Sequence, residues 1–219
     1  MVTREAVDLR LARGKKSQMN FKKIATLSIF IFPELLMISC SEQTTGAWAR
    51  TERTAEVESI SSYDVIMRSI ADSSHFDWQL LSAIAFHESR FQHDARSNRG
   101  AVGLMQIMPR TARQLGYDTD KLYDPQVSVE IALKLLHTIE GTFRFPASMP
   151  QSDKFKVILA AYNAGPGFMI RVRKEAAQEG AAYNSFATLS QYITREGTHK
   201  ETVQFANNVY KKYQQYLSI

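Results

Sequence analysis

The sequence predicts an all-α fold: a single compact helical domain over residues 60–219, with at most a small extended element near a glycine corner at Gly100–Ile107. Three observations carry this reading. Apolar residues recur at helical spacing in segment after segment from Ile60 onward. Capping residues, glycines and prolines fall where those periods start and stop. No convincing run of alternating apolar and polar residues stands between them, and no internal repeat is present.

The elements follow in order. Ile60, Tyr63, Ile66, Met67 and Ile70 share one helical face. After the break at Ser74–Asp77, with Asp77 as a plausible N-cap, a second helix spans about Trp78–Arg90. On it Leu81, Ile84, Ala85 and Glu88 follow at i, i+3, i+4 and i+7, so a glutamate sits on the apolar face. Pro109 suits the first position of a short helix that Gly116 ends. Asp124-Pro125 opens the next, with Val129, Ala132, Leu133, Leu136 and Ile139 as its apolar face and Gly141 as its close. Residues 142–153 read as a surface loop, and Lys154–Ala164 as a helix stopped by Gly165-Pro166-Gly167. Shorter elements are expected near Arg171–Glu179 and Phe186–Tyr192, and a last helix over Glu201–Leu217. The count is six or seven helices.

The region ahead of the domain has a different character. The formal charge is +5, which invites a nucleic-acid reading. Residues 1–40 hold seven basic and three acidic side chains, a net +4, which leaves +1 on residues 41–219. The folded part therefore has no basic stripe to track phosphates, and no nucleic-acid partner is expected. Lys22-Lys23, an apolar run from Ile24 to Ser39 and the single cysteine, Cys40, make a secretory signal ending in what resembles a bacterial lipobox. Pro33-Glu34 interrupts that run, and Met19 is a possible true start. Residues 1–40 are thus read as signal peptide, with Cys40 as the lipidation site. Residues 41–59 read as a polar tether, and residues 60–219 as the functional domain. One cysteine allows neither an internal disulfide nor a cysteine-based zinc site.

Several chemistries fail on the residues. His87-Glu88 begins like a zinc-protease helix, but Phe91 stands where the second histidine belongs, and His87 and His93 do not share a helical face. No G-x-S-x-G elbow is present. The glycines at 100 and 103 are not followed by the lysine of a phosphate loop. The residues point to no metal and no cofactor. What remains is carboxylate chemistry. Glycosidases use two carboxyl groups, yet Glu88 alone has an apolar setting; Asp94 and Asp118 lie nearby in sequence without one. Periodicity leaves Glu88 open between a helix-end glutamate that snorkels or pairs with Arg90 and a catalytic carboxyl of raised pKa.

Three stretches then resemble the main motifs of the soluble-type lytic transglycosylases, relatives of goose-type lysozyme. They are Leu80–Phe91 (LLSAIAFHESRF), Gly100–Pro109 (GAVGLMQIMP) and Ala161–Pro166 (AYNAGP). They stand in the family's order, and Tyr123-Asp124-Pro125 and Glu201-Thr202 resemble weaker landmarks. The resemblance covers residues 60–215 and implies an α-rich lysozyme-like fold. It makes Glu88 the catalytic acid/base, Ser97 a contact to the muramyl group, and Gln106 and Met108 groove residues. It makes Tyr162 the tyrosine that approaches the glutamate, with Asn163 beside it, and Glu201 a groove-lining acid. Two positions depart from the family: Ser128 stands where Asn is common and Phe205 where Tyr is common.

The activity so implied is cleavage of the β-1,4 bond between N-acetylmuramic acid and N-acetylglucosamine, with formation of a 1,6-anhydro end. Peptidoglycan glycan strands would be the partner. The lipid anchor would hold the protein in the cell envelope, on the outer membrane facing the periplasm. A hydrolytic muramidase and a non-catalytic peptidoglycan-binding lipoprotein remain as alternatives.

Overall fold

The computed structural model describes residues 58–72, 74–195, 197 and 199–219. The chain divides into two units, Met1–Thr51 and Glu52–Ile219, and every described residue lies in the second. The signal peptide, Cys40 and nearly all of the tether lie outside the described residues.

Eight α-helices and one 3₁₀ turn make up the described chain, against the six or seven expected: α1 (Asp64–Ala71), α2 (Trp78–Ser89), α3 (Pro109–Gln114), the 3₁₀ turn (Thr119–Lys121), α4 (Pro125–Thr142), α5 (Gln151–Ala164), α6 (Pro166–Gln178), α7 (Phe186–Ile193) and α8 (Lys200–Tyr216). No helix among them is long and apolar enough to cross a membrane. The difference lies after Gly165, where both of the shorter expected elements are complete helices, α6 and α7. The stop there is real, since Gly165 has φ +91° and ends α5, but Pro166 starts α6 at once. Proline at the first position of a helix gives up an N–H that has no intrahelical partner there.

The central element is α2. Leu80, Leu81, Ala83, Ile84 and Ala85 are fully buried in it, and so is Ser82. The single apolar face read from the sequence is thus only part of it, because neighbours wrap the helix nearly all round. Short side chains make this possible: α1 packs against α2, and α8 runs along both α2 and α5. The Ser82 hydroxyl lies 3.0 Å from the Met67 sulfur of α1. Asp77 occupies the N-cap position of α2 as expected, but its side chain does not cap the helix. It accepts a hydrogen bond from Tyr213 of α8 instead, which ties the start of α2 to the far end of the chain.

Asp124 caps α4 as its sequence predicts, accepting from the backbone N–H of Gln126 at 2.8 Å and Val127 at 3.2 Å. Gly141 does not close that helix; α4 runs one residue past it, to Thr142. In the loop that follows, Phe143 and Met149 turn inward and are buried.

The extended element at the glycine corner is two isolated β-bridges centred on Val102, one to Arg96 and one to Ile107. Its geometry depends on Gly103, whose φ is +80°. A Cβ placed there would stand 2.1 Å from the backbone oxygen of Leu122, so no side chain fits.

Candidate active site

The end of α2 delivers Glu88 to a cleft of ≈ 210 Å³. Beyond Ser89 the chain turns sharply, because Arg90 (φ +55°) and Phe91 (φ +63°) are both left-handed. The Arg90 guanidinium stacks over the Phe86 ring at 4.2 Å and does not pair with Glu88. Among the described residues Glu88 makes no ion pair, and its carboxylate accepts no hydrogen bond within the protein. Burial with nothing to balance the charge pushes its carboxyl up to about 8. Of the two settings open in the sequence, the helix-end pairing with Arg90 is thus not made. Among the described residues no other carboxylate lines the cleft. Asp94 is exposed, and Asp118 accepts from the Asp120 backbone in the 3₁₀ turn.

One wall of the cleft is the 96–108 segment, and three helices hold it. Ser89 of α2 donates its hydroxyl to the Leu104 carbonyl at 2.7 Å. Ser128 of α4 accepts from the Met105 N–H at 3.1 Å. Tyr162 of α5 donates its hydroxyl to the Met105 carbonyl at 2.8 Å. Position 128, one of the two that departs from the family, is thus a buried latch on this wall. Tyr162 also lies near Glu88. Burial first, and then the Glu88 charge, push the tyrosine well above its ordinary pKa, so it stands neutral.

Six of the predicted site residues line this one cleft: Glu88, Ser97, Gln106, Met108, Tyr162 and Asn163. Ser97 closes a turn, its hydroxyl oxygen accepting from Ala101 N–H at 2.9 Å. Among the described residues its hydroxyl hydrogen has no acceptor. Gln106, left-handed at φ +47°, donates its amide nitrogen to the carbonyls of Gly103 at 2.9 Å and Ala95 at 3.1 Å. Its amide oxygen is the acceptor it can offer a hydroxyl or N–H group. Met108 is exposed at the rim, just before α3. Asn163 accepts through its side-chain oxygen from Thr202 at 2.9 Å, which leaves its NH₂ donors for the cleft.

Glu201 is not among the lining residues; it stands exposed in the first turn of α8. Its neighbour Thr202, buried beneath it, makes the link to the cleft through Asn163. The landmark at 201–202 thus reaches this cleft through Thr202, while Glu201 stands outside its lining. Five further lining residues were not foreseen as site residues: Arg99, Ala101, Ile107, Thr111 and Leu135. Thr111, three residues beyond Met108, could have been found by asking which polar residue the first turn of α3 presents. Phe205 is partly buried against the core.

The family model described as a transglycosylase SLT domain matches residues 66–185. The chain belongs to this family. Among its relatives, the membrane-bound lytic murein transglycosylase F of Stutzerimonas stutzeri (strain A1501) is 35% identical over 133 residues, which is 61% of this chain and 26% of that protein. The protein of the same name from Vibrio campbellii (strain ATCC BAA-1116) is 34% identical over 121 residues, 55% of this chain and 22% of the relative. The chain thus spans about a quarter of the length of these curated relatives. Among solved structures, an inactive glutamate-to-glutamine mutant of the lytic transglycosylase Slt from Pseudomonas aeruginosa superposes with a TM-score of 0.55. It is 27% identical and covers 72% of this chain and 24% of that one. The complex of a 70-kDa soluble lytic transglycosylase with bulgecin A gives a TM-score of 0.53 at 25% identity, with 72% and 24% of the two chains covered. The family's helical fold agrees with the all-α reading of the sequence.

Proposed function

We propose that this chain is a peptidoglycan lytic transglycosylase in which Glu88 alone serves as acid and then as base. One observation carries the reading: a carboxyl pushed up to about 8, with no partner and no second carboxylate beside it in the cleft among the described residues. Hydrolysis by either retaining or inverting glycosidases uses a second carboxyl group within ~5–10 Å. A lone carboxyl suits a substrate that brings its own nucleophile.

The steps follow from the protonation state. At pH 7 a carboxyl with a pKa near 8 is mostly neutral, so Glu88 holds a proton to give. It protonates the glycosidic oxygen between N-acetylmuramic acid and N-acetylglucosamine, and the muramyl C1–O bond breaks with its electron pair going to oxygen. The 6-hydroxyl of the same muramyl residue then attacks C1. Its proton goes to the Glu88 carboxylate, which closes the 1,6-anhydro ring and restores the acid. No water is consumed. Acid–base catalysis of this kind is worth roughly 10²–10⁴-fold, and intramolecular attack adds the gain of proximity. Ser97, Gln106 and Asn163 position the sugars, Met108 covers the rim, and Tyr162 stays neutral while its hydroxyl fixes the wall.

The relatives' names describe membrane-bound lytic murein transglycosylases, in keeping with a place in the cell envelope. For this chain, the basic start, apolar run and Cys40 support acylation at Cys40 and a tethered catalytic domain over residues 60–219, on the outer membrane facing the periplasm.

The test is digestion of purified peptidoglycan. Glu88→Gln is expected to lose lysis by about 10²–10⁴-fold or more while still binding glycan. Mass spectrometry of wild-type products should give 1,6-anhydro ends; reducing ends would replace this reading with a hydrolytic muramidase. The pH profile adds a second check. The first step needs the protonated carboxyl, so kcat/KM should fall above about pH 8, with no acid limb from a second carboxylate. A bell-shaped profile would mean a second titrating partner.

A further inference from the structure

At the opposite end of α2 from the cleft, three side chains from distant parts of the chain meet at the surface. His137 and Glu140 lie three residues apart on α4, on one face of the helix. His75 reaches them from the bend before α2. Each offers one ligand atom, and these atoms lie within 4.8 Å of one another. His75 Nε2 stands 2.7 Å from the Glu140 carboxylate, and His137 Nε2 stands 3.1 Å from the Ser74 hydroxyl.

The two imidazoles are not merely loose surface groups. Both rest on Phe76, which is 1% exposed. Its ring centroid lies 4.5 Å from His75 and 5.1 Å from His137, the latter edge-on. The Ser74 hydroxyl oxygen accepts from the Phe76 N–H at 3.0 Å and so fixes the bend. A buried ring behind two imidazoles orients them from below and gives the cluster an apolar floor, as outer-shell groups do around metal ligands.

We propose that His75, His137 and Glu140 bind a borderline divalent transition metal, with Zn²⁺ as the natural occupant. Two imidazoles and one carboxylate suit zinc, nickel or copper, whereas calcium and magnesium take oxygen ligands. Three protein ligands leave a fourth tetrahedral position for water. At a zinc–ligand distance of ~2.0–2.1 Å the ligand atoms stand about 3.4 Å apart. His75 and Glu140 must then separate by less than about 1 Å, and no pair need approach by more than about 1.5 Å, which side-chain rotation supplies.

The site is remote from the chemistry. Asp77 and Glu88 stand eleven positions apart, about 16 Å along the axis of α2. A metal here acts as a clasp that fastens the lead-in of α2 to α4. His75 and His137 are far apart in sequence, so no ligand-spacing motif announces the site.

The experiment is titration of the full chain with ZnCl₂ by calorimetry, together with thermal melting. One Zn²⁺ should bind saturably at micromolar concentration, and excess Zn²⁺ should raise the melting temperature. His137→Ala and Glu140→Gln should each weaken binding by at least about tenfold and abolish the thermal shift. His93→Ala, at an exposed histidine elsewhere, should bind as wild type does. Both ligand variants change side chains at the surface of α4, and their metal-free melting checks that they fold. Co²⁺ substitution should give the visible absorption of a tetrahedral site. Absence of saturable binding, or binding that survives both His137→Ala and Glu140→Gln, would overturn the proposal.

Discussion

Glu88 and Glu179 are the same amino acid with opposite fates. Glu88 sits in the cleft with no partner, and burial pushes it up to about 8. Glu179 stands exposed just past the end of α6. Arg195 donates to both of its oxygens at 2.7 Å, and Tyr192 donates at 3.1 Å. Those hydrogen bonds, Arg195 first and then Tyr192, push Glu179 down to about 2. One carboxyl is fixed as a charge and the other is kept as a neutral acid. The difference teaches that partners, rather than residue type, decide what a carboxyl can do. The well-partnered cluster at Glu179 looks like the more elaborate site, yet it is a solvated surface network of the kind that contributes little. The proposed chemistry lies where partners are missing.

The largest effect on stability is expected at Glu88. Its folded-state pKa lies above its ordinary value, so the folded protein holds a proton that the unfolded chain has released between about pH 5 and 8. Stability from this group is full below that window and is lost as pH rises through it, at up to ~1.4 kcal/mol per pH unit. Glu88→Gln cannot titrate. Denaturant unfolding should show the variant overtaking wild type as pH rises from 5 to 8, although it has lost activity. Parallel pH curves for the two proteins would mean that Glu88 is not held neutral, and the contrast with Glu179 would collapse.

A smaller effect is expected at the Asn163 latch. Thr202→Val keeps the side-chain shape and deletes the hydroxyl that Asn163 accepts. Stability should fall by about 1 kcal/mol, and KM for glycan should rise more than kcat falls. Unchanged KM would remove Asn163 from the binding role proposed for it. The smallest effect is expected at Glu179→Gln. Lysis should be unchanged, and the unfolding midpoint should barely move at physiological salt. A loss of lysis there would bring the α6–α7 face into the functional site.

Much of the fold was legible because it is written locally. Asp124-Pro125 announces α4 through a cap and a first-turn proline, and Gly165 stops α5 as its position suggests. The start of α6 was placed near Arg171 because its first turn, Pro166–Met169, shows no apolar period and merges with the stop. The wrapping of α2 was only half visible. Periodicity reports the face with large apolar residues, but Ser82, Ala83 and Ala85 are buried because they are small enough for neighbours to close over them.

The site divides the same way. Glu88 stood out because a carboxyl among apolar residues is a local anomaly, and the other lining residues came from resemblance to a family. Pairings between distant residues were not legible. Asp77 with Tyr213, and Asn163 with Thr202, join residues whose spacing carries no pattern. The resemblance makes Gln106 a groove residue, while its amide N–H groups hold its own loop.

The hold on the Leu104-Met105 peptide has one more consequence. Its atoms are tied by Ser89, Ser128 and Tyr162, one side chain from each of three helices. That wall cannot swing without dragging α2, α4 and α5 with it, and α2 is the buried centre of the domain. It is therefore an anvil and not a lid. Whatever bending accompanies the encounter with the proposed glycan substrate must be done by the substrate.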